Sequence, residues 1–177
     1  DTGACAGWFD IGASDGIVRV DGSSELDYES ATSCSVTITS TSDDGSTTTL
    51  ADTIAITDVD EFDVGSVSDS DGGANTVAEN AADDATVGVT GSASDADGST
   101  NTITYSLTIS TSACAGWFDI DSSSGVVAVD GSNELDYETV TSCTVVITAT
   151  SADNSAGTLT TSIAITDVND PPPAATV

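Results

Sequence analysis

Short runs in which every second residue is apolar recur along the chain, with turn-forming residues between them. Val145, Ile147 and Ala149, for example, occupy alternate positions, as expected for one face of a half-buried strand. Glycine-containing sequences such as Asp121–Gly125 supply turns between such runs. The strands predicted for residues 62–170 are Thr76–Ala78, Thr86–Ala93, Thr102–Thr108, Trp117–Ile120, Val126–Val129, Ser142–Thr150 and Thr158–Thr166. Strands of this length and spacing predict a seven-stranded antiparallel sandwich of about 100 residues.

The pattern is repeated 109 positions further along the chain. Residues Cys5–Ile11 recur as Cys114–Ile120, and about two-thirds of residues 1–61 are identical to residues 110–170. A repeat of this size is a domain rather than a turn of a solenoid. The predicted fold class is therefore all-β, with tandem seven-stranded antiparallel Greek-key β-sandwiches.

The repeat length also predicts where the domains lie. Residues 62–170 form one complete repeat, residues 1–61 form the C-terminal part of a preceding repeat, and residues 171–177 begin the next. Residues 1–61 lack counterparts of the first three predicted strands, so we expect another polypeptide segment to cover their inner face. That segment is either a preceding part of a longer polypeptide or a neighbouring subunit. The apolar residues of this inner face are Val36, Ile38, Ile54 and Ile56.

The charge balance excludes several classes of function. The chain has 30 Asp plus Glu against 1 Lys plus Arg, no His, and a formal net charge of -29. This composition argues against binding to nucleic acid or to an anionic membrane surface, both of which need basic residues. Chemistry that depends on imidazole is also excluded. The sequence contains no apolar run of the ~20 residues that a membrane-spanning helix needs, so no membrane insertion is expected of this segment.

The four cysteines form two pairs with the same spacing. Cys5 and Cys34 are 29 positions apart, as are Cys114 and Cys143. We predict a disulfide within each repeat; free buried thiols and inter-chain bridges are the alternatives. A zinc site would require clustered cysteines or histidines. Disulfides would place the chain in an oxidising compartment, extracellular or at the cell surface.

Acidic residues occur in short clusters rather than evenly along the chain. Asp95 and Asp97 have the spacing that points two carboxylates to one side of an extended segment. Several oxygen donors that converge on one point are typical of a Ca²⁺ site, whereas a solvated acidic surface is the simpler alternative. The same pair is weak evidence for glycoside hydrolysis, because no binding cleft or other catalytic motif accompanies it. We therefore do not expect an enzyme.

The order of the motifs in the complete repeat resembles the cadherin repeat. The local sequences of these motifs are most similar to those of cadherin-like tandem repeats in large microbial extracellular and surface proteins. The motifs are Val77-Ala78-Glu79-Asn80, Asp95-Ala96-Asp97, Tyr105-Ser106-Leu107, Phe118-Asp119-Ile120-Asp121 with Gly125-Val126-Val127, Leu135-Asp136-Tyr137-Glu138, Ile147-Thr148-Ala149-Thr150 and Asp167-Val168-Asn169-Asp170-Pro171-Pro172.

The resemblance implies Ca²⁺ ions at the junctions between repeats, with ligands that can be transferred residue by residue. For the junction before the complete repeat these are Asp27, Glu29, Asp58, Asp60, Glu61, Asp95, Asp97 and the carbonyl of Asn101. For the junction after it they are Glu79, Asp136, Glu138, Asp167, Asn169 and Asp170. The chain departs from the family pattern at Ser42 and Ser151, where the family has an aspartate, unless Asp44 and Asp153 replace it.

Taken together, the sequence predicts a structural extracellular fibre or stalk built from tandem Ca²⁺-rigidified repeats. Its expected partners are copies of itself, arranged end to end. Two alternatives remain: these repeats are the spacer of a calcium-dependent cell-surface adhesin, or they are accessory modules of a secreted polysaccharide-active enzyme.

Overall fold

The structure, a computed structural model, describes residues 3–23, 25–131 and 135–169. These residues form twelve strands and two single turns of 3₁₀ helix, and they fall into two compact units. Unit 1 comprises residues 1–61 and 97–99, and unit 2 comprises residues 62–96 and 100–177. No helix in the described ranges is long and apolar enough to cross a membrane.

Unit 2 is a sandwich of two four-stranded sheets. Its strands are β5 (Ser68–Asp69), β6 (Thr76–Ala78), β7 (Thr86–Ser92), β8 (Thr104–Ile109), β9 (Phe118–Ile120), β10 (Val126–Val129), β11 (Ser142–Thr150) and β12 (Ala156–Thr166). One sheet has the order β5-β7-β10-β9, and the other has the order β6-β12-β11-β8. Pairing between non-consecutive strands, β7 with β10 and β8 with β11, confirms the predicted all-β sandwich class.

Two details of unit 2 differ from the prediction. Strand β6 pairs with β12 in parallel, so the sandwich is not antiparallel throughout. The edge of the other sheet is a two-residue strand, β5, which pairs with β7. The N-terminal part of the unit thus contributes one short strand to each sheet. Two residues are too few for an alternating pattern, which is why the sequence did not show β5, and alternation does not indicate strand direction, which is why it did not show the parallel pairing of β6.

The core of unit 2 lies between its two sheets. Val87, Val127, Val145, Ile147 and Ile163 are all 0% exposed. Burial of each such side chain contributes about 1.5–3 kcal/mol relative to exposure. From Cys143 to Thr150 of β11 the buried positions alternate with half-buried ones, as the sequence predicts.

Unit 1 contains two separate two-stranded sheets in its described residues. β1 (Phe9–Ile11) pairs with β2 (Val18–Val20), and β3 (Ser33–Thr41) pairs with β4 (Thr47–Ala55). Nη2 of Arg19, in β2, lies 2.5 Å from Oδ2 of Asp15, in the turn between β1 and β2, in an exposed ion pair. Few side chains of this unit are buried, and Val36 and Ile38 of β3 are only half-buried.

Each unit has one disulfide beside a buried tryptophan. Cys5 is bonded to Cys34, and Cys114 is bonded to Cys143, with Cα–Cα distances of 5.8 and 6.0 Å. In both units the bond joins a 3₁₀ turn to a long strand and belongs to the core. The indole of Trp117, like that of Trp8 in unit 1, is 6% exposed and is therefore a core residue rather than a sugar-stacking surface.

Candidate metal centres

Carboxylates converge at two places in the described residues. In each, one oxygen from every carboxylate lies within 4.8 Å of the others. The first group, called the unit 1 cluster, is Glu29, Asp58, Glu61 and Asp97. The second, called the unit 2 cluster, is Glu79, Glu138 and Asp167.

Backbone hydrogen bonds hold the unit 1 cluster together. The amide of Glu61 donates to Asp97 Oδ2 at 3.1 Å, and the amide of Gly98 donates to Glu29 Oε1 at 2.9 Å. Gly98 approaches Tyr28 closely, because a Cβ at this position would lie 2.6 Å from the ring atom Cδ1. The glycine after Asp97 therefore lets this segment reach the turn that carries Glu29.

The unit 1 cluster concentrates negative charge with little compensation. Asp97 is 2% exposed, and both carboxylate oxygens of Asp58 are buried without a hydrogen-bond donor among the described residues. Partial desolvation raises the pKa of Glu61, and the negative charges of Glu29, Asp58 and Asp97 raise it further. A buried carboxylate without a donor is unfavourable unless a cation or a proton neutralises it.

In the unit 2 cluster, Glu79 joins two segments that are distant in the sequence. Its Oε2 accepts a hydrogen bond from the amide of Tyr137 at 2.8 Å, and its Oε1 accepts one from the amide of Val168 at 2.6 Å. Glu138 and Asp167 each lie one position from these donors. The carboxylate of Glu79 therefore sets the position of both neighbouring ligand candidates.

The two clusters use corresponding positions of the repeat. Glu29 and Asp58 match Glu138 and Asp167, each 109 positions later. Because the clusters form in separate units, the agreement shows that the repeated sequence directs these carboxylates to the same place. The counterpart of Glu61 is Asp170, which lies outside the described residues.

Two predicted ligands are placed differently. Asp27 and Asp136, which also match each other in the repeat, belong to neither cluster. Asp27 accepts hydrogen bonds from the hydroxyl and the amide of Ser30, and Asp136 accepts them from the hydroxyl and the amide of Thr139. These bonds lower the pKa of both aspartates. In this structure, both carboxylates stabilise a turn.

Of the remaining predicted ligands that are described, Asp60 and Asp95 also belong to neither cluster; Asp60 is exposed and Asp95 is half-buried. Asn101 and Asn169 are exposed. Ser151, the serine that replaces the family's aspartate in unit 2, has a structural role. It is buried, and its hydroxyl donates to the carbonyl of Thr100 at 2.7 Å. Asp44 and Asp153 accept hydrogen bonds from Ser46 and Ser155, respectively, and thus stabilise their own turns.

The donor chemistry limits which cation could bind. Both clusters contain only carboxylates, which favour hard cations such as Ca²⁺ and Mg²⁺. Four carboxylates can supply up to eight oxygens, enough for the six to eight that Ca²⁺ takes. Mg²⁺ demands near-octahedral geometry and keeps several waters, so it fits such a dense group of carboxylates less well.

The family model described as "Cadherin domain" matches residues 67–166. Comparison with curated proteins gives no match. Among solved structures, the chain is similar to mouse cadherin-23 EC22-24, with 20% identity, a TM-score of 0.68 and coverage of 96% of this chain and 53% of that one. It is also similar to protocadherin gammaB7 EC3-6, described as a cis-dimer, with 20% identity, a TM-score of 0.71 and coverage of 93% and 41%. The chain thus spans about half or less of these solved chains.

Proposed function

Because this chain belongs to the cadherin family, we propose that it is a Ca²⁺-rigidified structural repeat of an extracellular fibre or stalk. Cadherin domains are extracellular adhesion or structural repeat modules and are generally not enzymes. Family membership and two disulfides place the chain outside the cell or at its surface. Calcium binding and assembly into a fibre are the proposed part.

The observation that carries the proposal is the unit 1 cluster, which includes the buried carboxylate of Asp58. Four carboxylates repel one another, and neither oxygen of Asp58 has a donor among the described residues. A bound Ca²⁺ would supply two positive charges, and it would be coordinated by carboxylate oxygens such as those of Asp58, which have no hydrogen-bond donor among the described residues. Partial desolvation raises the pKa of Glu61, and the negative charges of the same cluster raise it further.

We propose that Glu29, Asp58, Glu61 and Asp97 hold one such ion and that Glu79, Glu138 and Asp167 hold another. The chain's own contribution is to bring these groups together, through the backbone bonds to Asp97, Glu29 and Glu79 described above. Further ligands implied by the family resemblance are Asp27, Asp60, Asp95, Asn101, Asp136, Asn169 and Asp170.

The expected mechanical effect follows from where the ligands lie in the sequence. Glu29, Asp58 and Asp97 belong to segments far apart along the chain, so an ion shared between them would cross-link these segments. Unit 1 should then open less readily, and successive repeats should form a stiffer array. The similarity between the two repeats suits a protein that needs length rather than a single specialised site.

Calorimetric titration of the full chain with CaCl₂ and, separately, with MgCl₂ tests the calcium proposal. We expect Ca²⁺ binding with preference over Mg²⁺, and a Ca²⁺-dependent rise in thermal stability, because an ion that binds only the folded form stabilises it. Asp58→Asn should weaken the unit 1 site, and Glu138→Gln should weaken the unit 2 site. Asp52→Asn is a matched control, because Asp52 is exposed on β4 outside both clusters.

No binding up to millimolar Ca²⁺ would contradict the proposal and favour a solvated acidic surface. Electron microscopy of the native protein with Ca²⁺ and with EDTA tests the fibre. Long uniform filaments in Ca²⁺ are expected. A chain that binds Ca²⁺ but shows no end-to-end assembly would instead favour the spacer of an adhesin.

A further inference from the structure

Several aspartates of this chain are followed directly by glycine, a dipeptide that can modify itself. They are Asp15, Asp21, Asp44, Asp71, Asp97 and Asp130. In such a pair the backbone nitrogen of the glycine can attack the carboxyl carbon of the aspartate, because glycine has no side chain to hinder the approach. Which of these pairs reacts in the folded protein depends on how the structure holds the two groups.

Most of these glycine amides are engaged in hydrogen bonds. The bonds join Gly16 to the carbonyl of Gly12 at 2.8 Å, Gly45 to the carbonyl of Ser42 at 2.9 Å, Gly98 to Oε1 of Glu29 at 2.9 Å and Gly131 to Oδ1 of Asp83 at 2.7 Å. The peptide group has to rotate toward the carboxyl for the attack to occur. These hydrogen bonds must therefore break first, through a local opening of the structure.

The amides of Gly22 and Gly72 donate to no group among the described residues. The first of these pairs is restrained in other ways. Asp21 is half-buried, and its own amide donates to the carbonyl of Trp8 at 2.8 Å. Hydrogen bonds from the amide and the hydroxyl of Ser23 lower the pKa of the Asp21 carboxyl. Because the reaction expels a carboxyl oxygen as water, it is slower from a carboxyl that stays ionised.

Asp71 and Gly72 are exposed in the connection between β5 and β6. Oδ1 of Asp71 accepts a hydrogen bond from the amide of Gly73 at 2.7 Å, which holds the carboxyl on the C-terminal side of its residue, close to the peptide group that would attack it. A Cβ on Gly72 would meet no atom within 4 Å. This peptide group can therefore rotate without collision, and two consecutive glycines give it a wide conformational range.

The segments on either side of this connection are held by hydrogen bonds. The amide of Ser70 donates to the carbonyl of Thr90 at 2.9 Å, and the carbonyl of Asn75 accepts from the amide of Ala164, also at 2.9 Å. The movement that the reaction needs is thus confined to residues 71–73. It does not require unfolding of unit 2.

We propose that the Asp71–Gly72 bond is the principal site of spontaneous isoaspartate formation in this protein. The nitrogen of Gly72 forms a bond to Cγ of Asp71 and loses its proton, while the carboxyl loses its hydroxyl group, so that water leaves and a cyclic succinimide forms. Water then adds to either carbonyl of the ring. One addition restores aspartate, and the other leaves isoaspartate, whose main chain runs through the former side-chain methylene. Water is the only co-reactant.

The product would alter the connection between the two sheets of unit 2. Isoaspartate adds a methylene to the main chain between β5 and β6, which belong to different sheets. It also remodels the turn in which the amide of Asp71 donates to Oδ1 of Asp69 at 3.1 Å. Hydrogen exchange should therefore become faster in β5 and β6 of the modified chain and stay unchanged in β11. The site records the age of the protein, independently of the calcium proposal.

Incubation of the full chain at neutral pH and physiological temperature, followed by peptide mapping, tests the proposal. A glutamate-specific protease releases residues 62–79, in which Asp71 is the one aspartate followed by glycine. Electron-based fragmentation and labelling with an isoaspartyl methyltransferase distinguish isoaspartate from aspartate of the same mass. We expect isoaspartate to form about ten-fold or more faster at Asp71 than at Asp97 or Asp130, because those two pairs react only after local opening. In guanidinium-unfolded chain this difference should disappear.

Variants identify the reacting bond. Gly72→Val should slow the reaction at Asp71 by about ten-fold or more, because a β-branched side chain hinders the attack and the structure has room for it. Gly22→Val is the matched control, since a Cβ there also meets no atom within 4 Å, and it should leave the rate at Asp71 unchanged. Asp71→Asn should react faster through the same succinimide, with loss of ammonia and a measurable gain in mass.

Three results would overturn the proposal. The first is formation of isoaspartate at Asp71 no faster than at Asp97 and Asp130 in the native chain. The second is earlier accumulation at any other Asp–Gly pair. The third is an unchanged rate at Asp71 in Gly72→Val, with Trp117 fluorescence showing that the core of unit 2 is intact.

Discussion

At the scale of single residues, the hydrogen-bond donors nearby determine what each aspartate does. Asp27 and Asp58 are both predicted ligands of the junction before the complete repeat, yet Asp27 accepts two hydrogen bonds from Ser30 and Asp58 accepts none in the described residues. Donors stabilise the charged form of a carboxylate. Asp27 is therefore satisfied within its own turn, whereas Asp58 has no such donor, which makes it the most informative position for testing the proposed calcium site.

Asp58→Asn should have opposite effects with and without Ca²⁺. In EDTA the variant should be more stable than wild type, by on the order of 1 kcal/mol, because one of four mutually repelling charges is removed. In Ca²⁺ its gain in melting temperature should be smaller than that of wild type. Thermal unfolding in both conditions measures the two effects. Equal changes in the Asp52→Asn control would show that net charge, rather than the cluster, is responsible.

The hydrogen bonds to Asp121 predict that the stability of unit 2 depends on pH. Asp121 accepts hydrogen bonds from the amide and the hydroxyl of Ser124 and from the amide of Ser123, which lower the pKa of its carboxyl. A lowered pKa contributes stability above the unfolded value of 3.8, and that stability is lost as pH falls through the folded value. Asp121→Asn should therefore lower the melting temperature at neutral pH, and the difference from wild type should shrink in acid.

The counterpart of Asp121 in unit 1 is Gly12, so the effect should be confined to the unfolding of unit 2. A difference between variant and wild type that persists unchanged below the folded pKa would contradict the assignment.

At the scale of elements, the sequence located the seven predicted strands of unit 2 to within two residues. The predicted bounds of Thr76–Ala78, Val126–Val129 and Ser142–Thr150 agree with the structure, whereas β12 begins two residues earlier than predicted and β8 begins two residues later. The two-residue strand β5 and the parallel pairing of β6 could not be predicted, for the reasons of length and strand direction given above. Both features depend on contacts between distant parts of the chain.

Close packing between β7 and β11 predicts a specific intolerance at Gly91. Gly91→Ala should destabilise unit 2 by about 1–3 kcal/mol, because its Cβ would lie 2.9 Å from Cγ2 of the fully buried Ile147. Gly72→Ala is the matched control, since a Cβ there meets no atom within 4 Å. Urea unfolding of both variants checks this, and equal stability of the two would contradict the packing.

At the scale of the whole molecule, the two units differ in how much they bury. Unit 2 has a continuous core that includes Trp117, Phe118 and Leu135, whereas the buried apolar core of unit 1 among the described residues is Cys5, Trp8, Cys34 and Ile56. A small core supports little stability on its own. The disulfide of unit 1 therefore contributes a larger share of the stability of its unit than the disulfide of unit 2 does.

We expect the chain to unfold in two transitions, with unit 1 first. Differential scanning calorimetry should resolve two peaks, and tryptophan fluorescence of Trp117→Phe and Trp8→Phe variants should follow them separately. Reduction of the disulfides should lower the first transition more than the second. A single transition seen by both tryptophans would contradict independent cores.

The candidate sites were predicted in part, for a physical reason. The family resemblance implied Glu29, Asp58, Glu138 and Asp167 as ligands, and the structure brings their carboxylates into the two clusters. The sequence analysis did not show that Asp27 and Asp136 accept hydrogen bonds within turns, although the serine or threonine three positions later is a readable signal. Nor did it indicate that Gly98 is needed for close approach to Tyr28. Such choices depend on three-dimensional neighbours rather than on spacing.

The position of Arg19, the residue paired with Asp15, has a consequence for proteolysis. Arg19 is the sole basic residue of the sequence, so a protease that cleaves after lysine or arginine has one target in 177 residues. That bond follows a residue of β2, which pairs with Ile11, Asp10 and Phe9 of β1. Cleavage requires this short pair to open locally. The rate at which trypsin cuts the native chain therefore reports the opening of one hairpin, while the long strands of unit 2 offer no site to the enzyme.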